Sequence, residues 1–95
     1  MLFLAISTPA PTEPSAVRDR RQRYWQWVAP LREDGTVRSI HARVGRGAVA
    51  LFDVDSLERL HALLNQWADI VPATFEILPL IDADAIQSFL AAEPT

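Results

Sequence analysis

Two histidines, one glutamate set in an apolar run and a cluster of aromatic side chains are the parts of this sequence equipped for chemistry. Proton transfer near neutral pH needs a group whose pKa can be brought close to 7, and histidine or a desolvated carboxylate meets that need. His41 stands between Ser39 and Arg43 in a stretch where Ile40, Ala42 and Val44 alternate with them. If the polar face lines a cavity, His41 is a candidate base and Arg43 a holder for a carboxylate or enolate. If it faces water, the same alternation is what any half-exposed strand shows. Glu76 alternates with Leu78 and Leu80. A carboxylate on that face loses solvation, which favours its protonated form; otherwise it is a charge that keeps an edge strand from aggregating. His61 falls at the edge of an apolar helical stripe, as a ligand contact or as a helix-flank histidine packing on the sheet. Tyr24, Trp25 and Trp27 crowd one helical turn. The two tryptophans point about 160° apart on a helix wheel, so one enters the core and the other faces a cavity or a neighbouring subunit.

Composition narrows the setting. The chain has 95 residues, 49% of them hydrophobic and 22% charged, which is one small folded domain spanning 1–95. Without cysteine there is no disulfide, thiolate metal site or cysteine nucleophile. Without lysine there is no Schiff-base chemistry. A core this thin calls for a partner, and self-association is the support left by elimination. A net charge of −3 argues against nucleic acid. No apolar stretch approaches the roughly 20 residues that span a bilayer, and a cytoplasmic location is expected. Asp53-Val54-Asp55 and Asp82-Ala83-Asp84 lack the ligand count and glycine turn of a calcium loop, so no metal is expected. Arg18, Arg20, Arg21 and Arg23 read as a solvated face with local ion pairs, or as a rim that recruits anions.

The elements that must position these groups follow from periodicity. Leu2 to Ser7 reads as a strand and Thr8 to Pro14 as a proline-rich loop. A helix begins near Ser15, with Val17, Tyr24, Val28 and Leu31 on one stripe, and ends or kinks at Pro30. Glu33-Asp34-Gly35 is a turn. Val37 to Val44 is a half-buried strand, Gly45-Arg46-Gly47 a hairpin turn, and Ala48 to Val54 a central strand. Asp55 with Glu58 suggests a capping box for a second helix, ending near Ala68, whose apolar face carries Leu57, Leu60, Leu63, Leu64 and Trp67. Helix capping is likewise expected of Asp53. Thr74 to Leu80 is a fourth strand, and Asp82 caps a short helix bearing Ile86, Phe89 and Leu90. The order β-α-β-β-α-β is the ferredoxin-like α+β arrangement, with helices on one sheet face and the other open. The segment 81–95, with Phe89 and Leu90 lacking a home, is expected to serve assembly.

The segment Phe52-Asp53-Val54-Asp55-Ser56-Leu57-Glu58-Arg59-Leu60-His61 resembles the F-D-V-x-S-x-E-x-L-H segment of the muconolactone Δ-isomerase family. Met1-Leu2-Phe3, Gly35-Thr36 followed by Arg38, and Phe75-Glu76-Ile77 are also similar, over roughly residues 1–80. The resemblance implies subunits pairing into dimeric α+β barrels, and a cofactor-free enzyme that moves a ring double bond by proton removal and return. The first strand departs from the family at Leu4 and Ile6, where basic residues are expected, and Val37 replaces a tryptophan. Both changes imply a more apolar pocket. The expected ligand is a small hydrophobic cyclic acid or lactone. His41 and Glu76 are the candidate catalytic groups; Arg43, Ser39, Tyr24, Trp25, Trp27 and His61 are the candidate binding groups. A cyclase or cofactor-free oxygenase acting on an aromatic or polyketide intermediate, and a non-catalytic ligand-binding or assembly module, remain open alternatives.

Overall fold

A computed structural model describes residues 1–92. Its elements are β1 (Leu2–Pro9), a 3-10 turn (Pro14–Val17), α1 (Arg18–Glu33), β2 (Val37–Ala42), β3 (Ala48–Asp53), α2 (Leu57–Ile70), β4 (Ala73–Leu80) and α3 (Ala83–Ala92). All strand pairs are antiparallel, in the spatial order β2-β3-β1-β4. The expected α+β, ferredoxin-like arrangement is therefore the observed one.

The two sheet faces come from alternate residues of the same strands. Phe3, Ala5 and Ser7 of β1 and Ala48, Ala50 and Phe52 of β3 are buried beneath the helices. Ala5 pairs with Ala50 at the middle of the sheet, and both are fully buried. Such small side chains let the helices sit close. Leu60, Leu63 and Trp67 of α2 and Tyr24, Val28 and Leu31 of α1 complete this core at helical spacing. Burial of each large core side chain contributes roughly 1.5–3 kcal/mol. Trp27 packs against the same core and donates its indole N–H to Gln66 Oε1 at 2.9 Å, tying α1 to α2.

On the other face, Leu4, Ile6, Val49 and Leu51 are half-buried and Leu78 and Leu80 exposed. No element of the described residues covers them. α3 buries none of its residues, and Phe89 and Leu90 are about 60% exposed. The last three residues of the 81–95 segment lie outside the described residues.

Several boundaries differ from the sequence expectation. α1 runs through Pro30 to Glu33. The missing proline N–H falls in the last turn, where only one intrahelical bond is lost, and Asp34 N–H closes the helix on the Pro30 carbonyl. The N-cap of α2 is Ser56 rather than Asp55: its Oγ accepts the Arg59 N–H at 3.1 Å. Leu57, at the head of that helix, is exposed instead of joining its apolar face. Asp53 caps no helix; its carboxylate accepts from Arg38 at 2.7 and 3.0 Å. β1 extends to Pro9, into the expected loop. β2 contains a bulge between Val37 and Ser39, so Val37 and Ile40, three residues apart, both face the core. It also stops at Ala42. The hairpin loop is thus longer than a three-residue turn, and Val44 is fully exposed rather than part of a buried stripe.

Candidate functional site

The early end of β2 changes the place of Arg43. Its backbone N–H closes the hairpin on the Gly47 carbonyl at 2.9 Å. Its guanidinium Nη1 crosses to β1 and donates to the Ser7 carbonyl at 2.9 Å and to Thr8 Oγ1 at 3.4 Å. Gly47 makes this crossing possible. Its φ is +103°, and a Cβ there would sit 2.6 Å from the Ser7 carbonyl oxygen and 3.3 Å from Arg43 Cδ. Only glycine fits that conformation and that approach together.

A cavity of about 80 Å³ opens at this end, between the sheet and the helices. It is roughly half the size of the closed cavity of about 150 Å³ that takes up benzene, but exposed residues form its rim. Buried Ser7, Tyr24, Ala48 and Trp67 make its floor, and Arg21, Trp25 and Arg43 stand at the mouth with Arg46 beside them. The floor is aromatic: the Tyr24 ring lies 4.8 Å from Trp67 and edge-on to Trp25 at 5.5 Å. Ser7 Oγ is spent on Ala48, accepting its N–H at 2.9 Å and donating to its carbonyl at 3.2 Å. Burial pushes the Tyr24 hydroxyl well above the ordinary tyrosine range, so it stays protonated.

The charge around this cavity opposes that of the chain. An adjoining hollow shares Arg46 and Val71 and adds Arg20. Four of the nine arginines, Arg20, Arg21, Arg43 and Arg46, therefore gather at one end of a chain whose net charge is −3, and among the described residues no carboxylate lines either hollow. Arg46 donates to the carbonyls of Ala10 and Thr12. Low-dielectric walls lined by one sign of charge concentrate the opposite sign. The arrangement suits a planar ring carrying negative charge.

The remaining candidates lie elsewhere. His41 and Glu76 share the open sheet face. They occupy one row across it, His41 opposite Val49, Val49 opposite Ile6 and Ile6 opposite Glu76. Three strand spacings separate them, about 14 Å. Both are exposed, so the desolvation expected of Glu76 is absent in the single chain. Ser39 lies on the same face, opposite Leu51. Arg43 is thus not the close companion of His41 that strand alternation suggests, because the strand ends before it. Of the aromatic cluster, Tyr24 and Trp25 line the cavity and Trp27 does not. His61 is on the exposed side of α2, its ring nitrogen 3.0 Å from Asn65 Nδ2 one turn on, and it lines neither of these hollows. Sequence reasoning missed Ser7, Trp67 and Gly47. They are distant in the chain and look like strand, core and turn. Only the glycine, beside Arg43 in a hairpin, offered a signal.

Comparison with known proteins accords with this architecture. No curated protein is matched by the sequence. A crystal structure of muconolactone isomerase superposes with a TM-score of 0.67 at 26% identity, covering 86% of this chain and 90% of that one. The 5-chloro-2-hydroxyhydroquinone dehydrochlorinase TftG from Burkholderia phenoliruptrix AC1100, solved with 2,5-dihydroxybenzoquinone, superposes with a TM-score of 0.72. Its identity is 14%, with 90% of this chain and 98% of that one covered, so this likeness speaks for the fold alone. The resemblance read from the sequence thus extends to the three-dimensional structure. Among the described residues no helix is long and apolar enough to cross a membrane. Residues 1–93 match the family described as Domain of unknown function (DUF3303), and the chain belongs to it.

Proposed function

We propose that this chain is a cofactor-independent enzyme that shifts a double bond in a small cyclic unsaturated acid or lactone by proton transfer. The observation that carries the reading is the cavity: aromatic walls, an arginine rim and no carboxylate. The structural likeness to muconolactone isomerase supplies the reaction type. In such a reaction on a conjugated lactone a base takes a proton from the ring carbon at the far end of the unsaturated carbonyl system. The electron pair moves onto the carbonyl oxygen as a dienolate, and a proton returns at the carbon next to the carbonyl, which leaves the double bond shifted by one position. Arg43 and its neighbours stabilise the oxygen charge as it develops. A positioned acid–base group contributes about 10²–10⁴ in rate.

The cavity holds donors and no ordinary base. In the single chain His41 and Glu76 lie across the sheet from this cavity and about 14 Å apart, so we assign proton transfer to His41, with Glu76 assisting, only in an assembly whose second copy brings them to the cavity mouth. The functional unit is then a homodimer, one domain per chain, with α3 taking part in assembly. A second reading is favoured by the aromatic floor. In it, a cyclase or cofactor-free oxygenase processes an aromatic or polyketide intermediate in the same cavity.

NMR in D₂O with muconolactone tests the first reading. An enzyme-dependent double-bond shift with deuterium at the allylic carbon is the expected result. Loss of turnover in His41→Ala and Glu76→Ala, with retained binding, assigns the base. Full turnover in both variants removes them from the mechanism. No shift and no label from the folded protein sinks the isomerase reading.

A further inference from the structure

Tyr24 is packed as a core residue yet carries a polar atom the core does not use. The side chain is 5% exposed, and its Oη has no hydrogen-bond partner among the described residues. An unpaired buried hydroxyl destabilises a fold, and phenylalanine would fill the same space without it. Ser7, on the same cavity floor, makes the contrast: both hydrogen-bonding roles of its hydroxyl are filled by Ala48. The ring of Tyr24 is held between Trp67 and Trp25, so its place is fixed before any ligand arrives. Arg21, Arg43 and Arg46 stand around the same cavity, which no acidic side chain among the described residues lines. Arg43 and Arg46 each spend one nitrogen, Nη1, on main-chain carbonyls, Arg43 reaching Thr8 Oγ1 with the same atom, and keep the rest of the fork.

We infer that Tyr24 contacts the ligand directly, its hydroxyl donating a hydrogen bond to the ionised oxygen of a planar ring that the arginines draw into the cavity. The inference rests on the cavity used in the proposed function but not on turnover. An ionised oxygen is the acceptor that returns most to a dry donor, because charge-assisted hydrogen bonds are about twice as strong as neutral ones. The flanking indoles provide the flat apolar surface that a ring requires. The hydroxyl is therefore an investment in binding rather than in folding, and its removal separates the two.

The probe is 4-nitrophenol, which titrates near neutrality and is yellow only when ionised. Addition of wild-type protein at fixed pH is expected to raise the yellow absorbance, because the cavity favours the phenolate. Tyr24→Phe is expected to weaken 4-nitrophenolate binding by about ten- to a hundredfold. The same variant, without ligand, is expected to unfold at the same or a higher temperature. Any of these results overturns the inference: no binding of 4-nitrophenolate to folded wild type, equal binding by Tyr24→Phe, or nitrobenzene binding as tightly as the phenolate. A fall in the melting temperature of Tyr24→Phe also overturns it, because the hydroxyl would then have a structural partner. Equal 4-nitrophenolate affinity in wild type and Tyr24→Phe, with muconolactone isomerised by the wild type, would defeat this inference and leave the proposed function standing. No isomerisation, with phenolate affinity lost in Tyr24→Phe, would do the reverse.

Discussion

The cavity beneath Trp25 and the open face of the sheet are made from neighbouring residues of the same strands. Ser7 and Ala48 look into the cavity; Ile6 and Val49 look the other way. Yet the two regions differ in kind. The cavity is concave, rimmed by arginine and floored by aromatic rings. The open face is broad and apolar through its middle, with His41 at one edge and Glu76 at the other. A concave site with a few polar groups suits a small molecule, whereas a broad apolar face with charges at its margins suits another protein surface. Strand alternation can serve both because each residue answers to only one face.

That division is most sharply tested by a pair of substitutions. Leu4 is at the centre of the open face, opposite Leu51 on one side and Leu78 on the other. Leu4→Asp is expected to abolish self-association, since an unpaired charge would be buried in an apolar interface, and to leave binding of anionic rings unchanged. Arg43→Ala is expected to do the opposite. It keeps the oligomer and weakens binding by about tenfold or more, the loss of one charged hydrogen bond. Sedimentation velocity and ligand titration on both variants check the pair. If each variant impairs both properties, the two regions are one site.

The hairpin glycines sharpen the comparison next. Gly45 and Gly47 both have positive φ, but only Gly47 faces the cavity wall closely. Gly45→Ala meets no atom within 4 Å and is expected to cost about 1–2 kcal/mol from backbone conformation alone. Gly47→Ala bears the same penalty plus the collision with the Ser7 carbonyl, so more than about 2 kcal/mol is expected. Urea unfolding of the two variants gives the difference. Equal losses would mean that the hairpin can back away from β1 and that the Arg43 crossing is not fixed.

α3 gives a smaller effect on the subunit itself. Phe89 is 60% exposed, so Phe89→Asp is expected to change the stability of the isolated subunit by no more than about 0.5 kcal/mol. In the assembly it is expected to reduce native mass. An unchanged native mass would leave α3 without an assembly role and assign self-association to the sheet face alone.

Periodicity made the layers legible. Period-two alternation placed Glu76 with Leu78 and Leu80, and the helical stripe placed Tyr24, Val28 and Leu31 in the core. What it missed depended on contacts between distant segments. The bulge at Arg38 and the stop at Ala42 are set by pairing with β3, so the local pattern around His41 gave no warning that Arg43 leaves the strand. The cavity is assembled from the end of β1, the first turns of α1, the hairpin and the end of α2, and no local window contains all four. Arg20 and Arg21 read either as a solvated face, because their nearest sequence neighbours include Asp19, or as a rim that recruits anions; in the fold they line hollows shared with Arg46, Arg21 beside Arg43 as well. Tyr24 was legible as a core residue, but an unused hydroxyl is a property of the surroundings and not of the stripe.

The smallest expected effect lies at the other end of the open face. Asp53 pairs with Leu2 in register, accepts from Arg38 and lies 3.5 Å from the terminal ammonium of Met1. The Arg38 hydrogen bond holds its carboxyl below the usual range of about 3.9. A lowered pKa stabilises the fold above the unfolded value, and that stability is lost as pH falls through the folded value. The pH dependence is therefore confined to acid conditions, whereas the stabilisation itself is present at neutral pH; Arg38→Gln should lower stability slightly at neutral pH, make the acid loss shallower, and match wild type once Asp53 is protonated. Exposure keeps the effect small in the single chain. If a second copy covers this face, the ion pair loses solvent screening, and the acid loss of stability should become steeper at concentrations where the dimer forms. Melting temperatures between pH 2 and 5, at dilute and concentrated protein, with the Asp53 carboxyl followed by NMR, read this directly. An acid profile that is the same at both concentrations would mean that Arg38 and Asp53 stay outside the interface, and that a second copy covers only the centre of the sheet around Leu4 and Leu51.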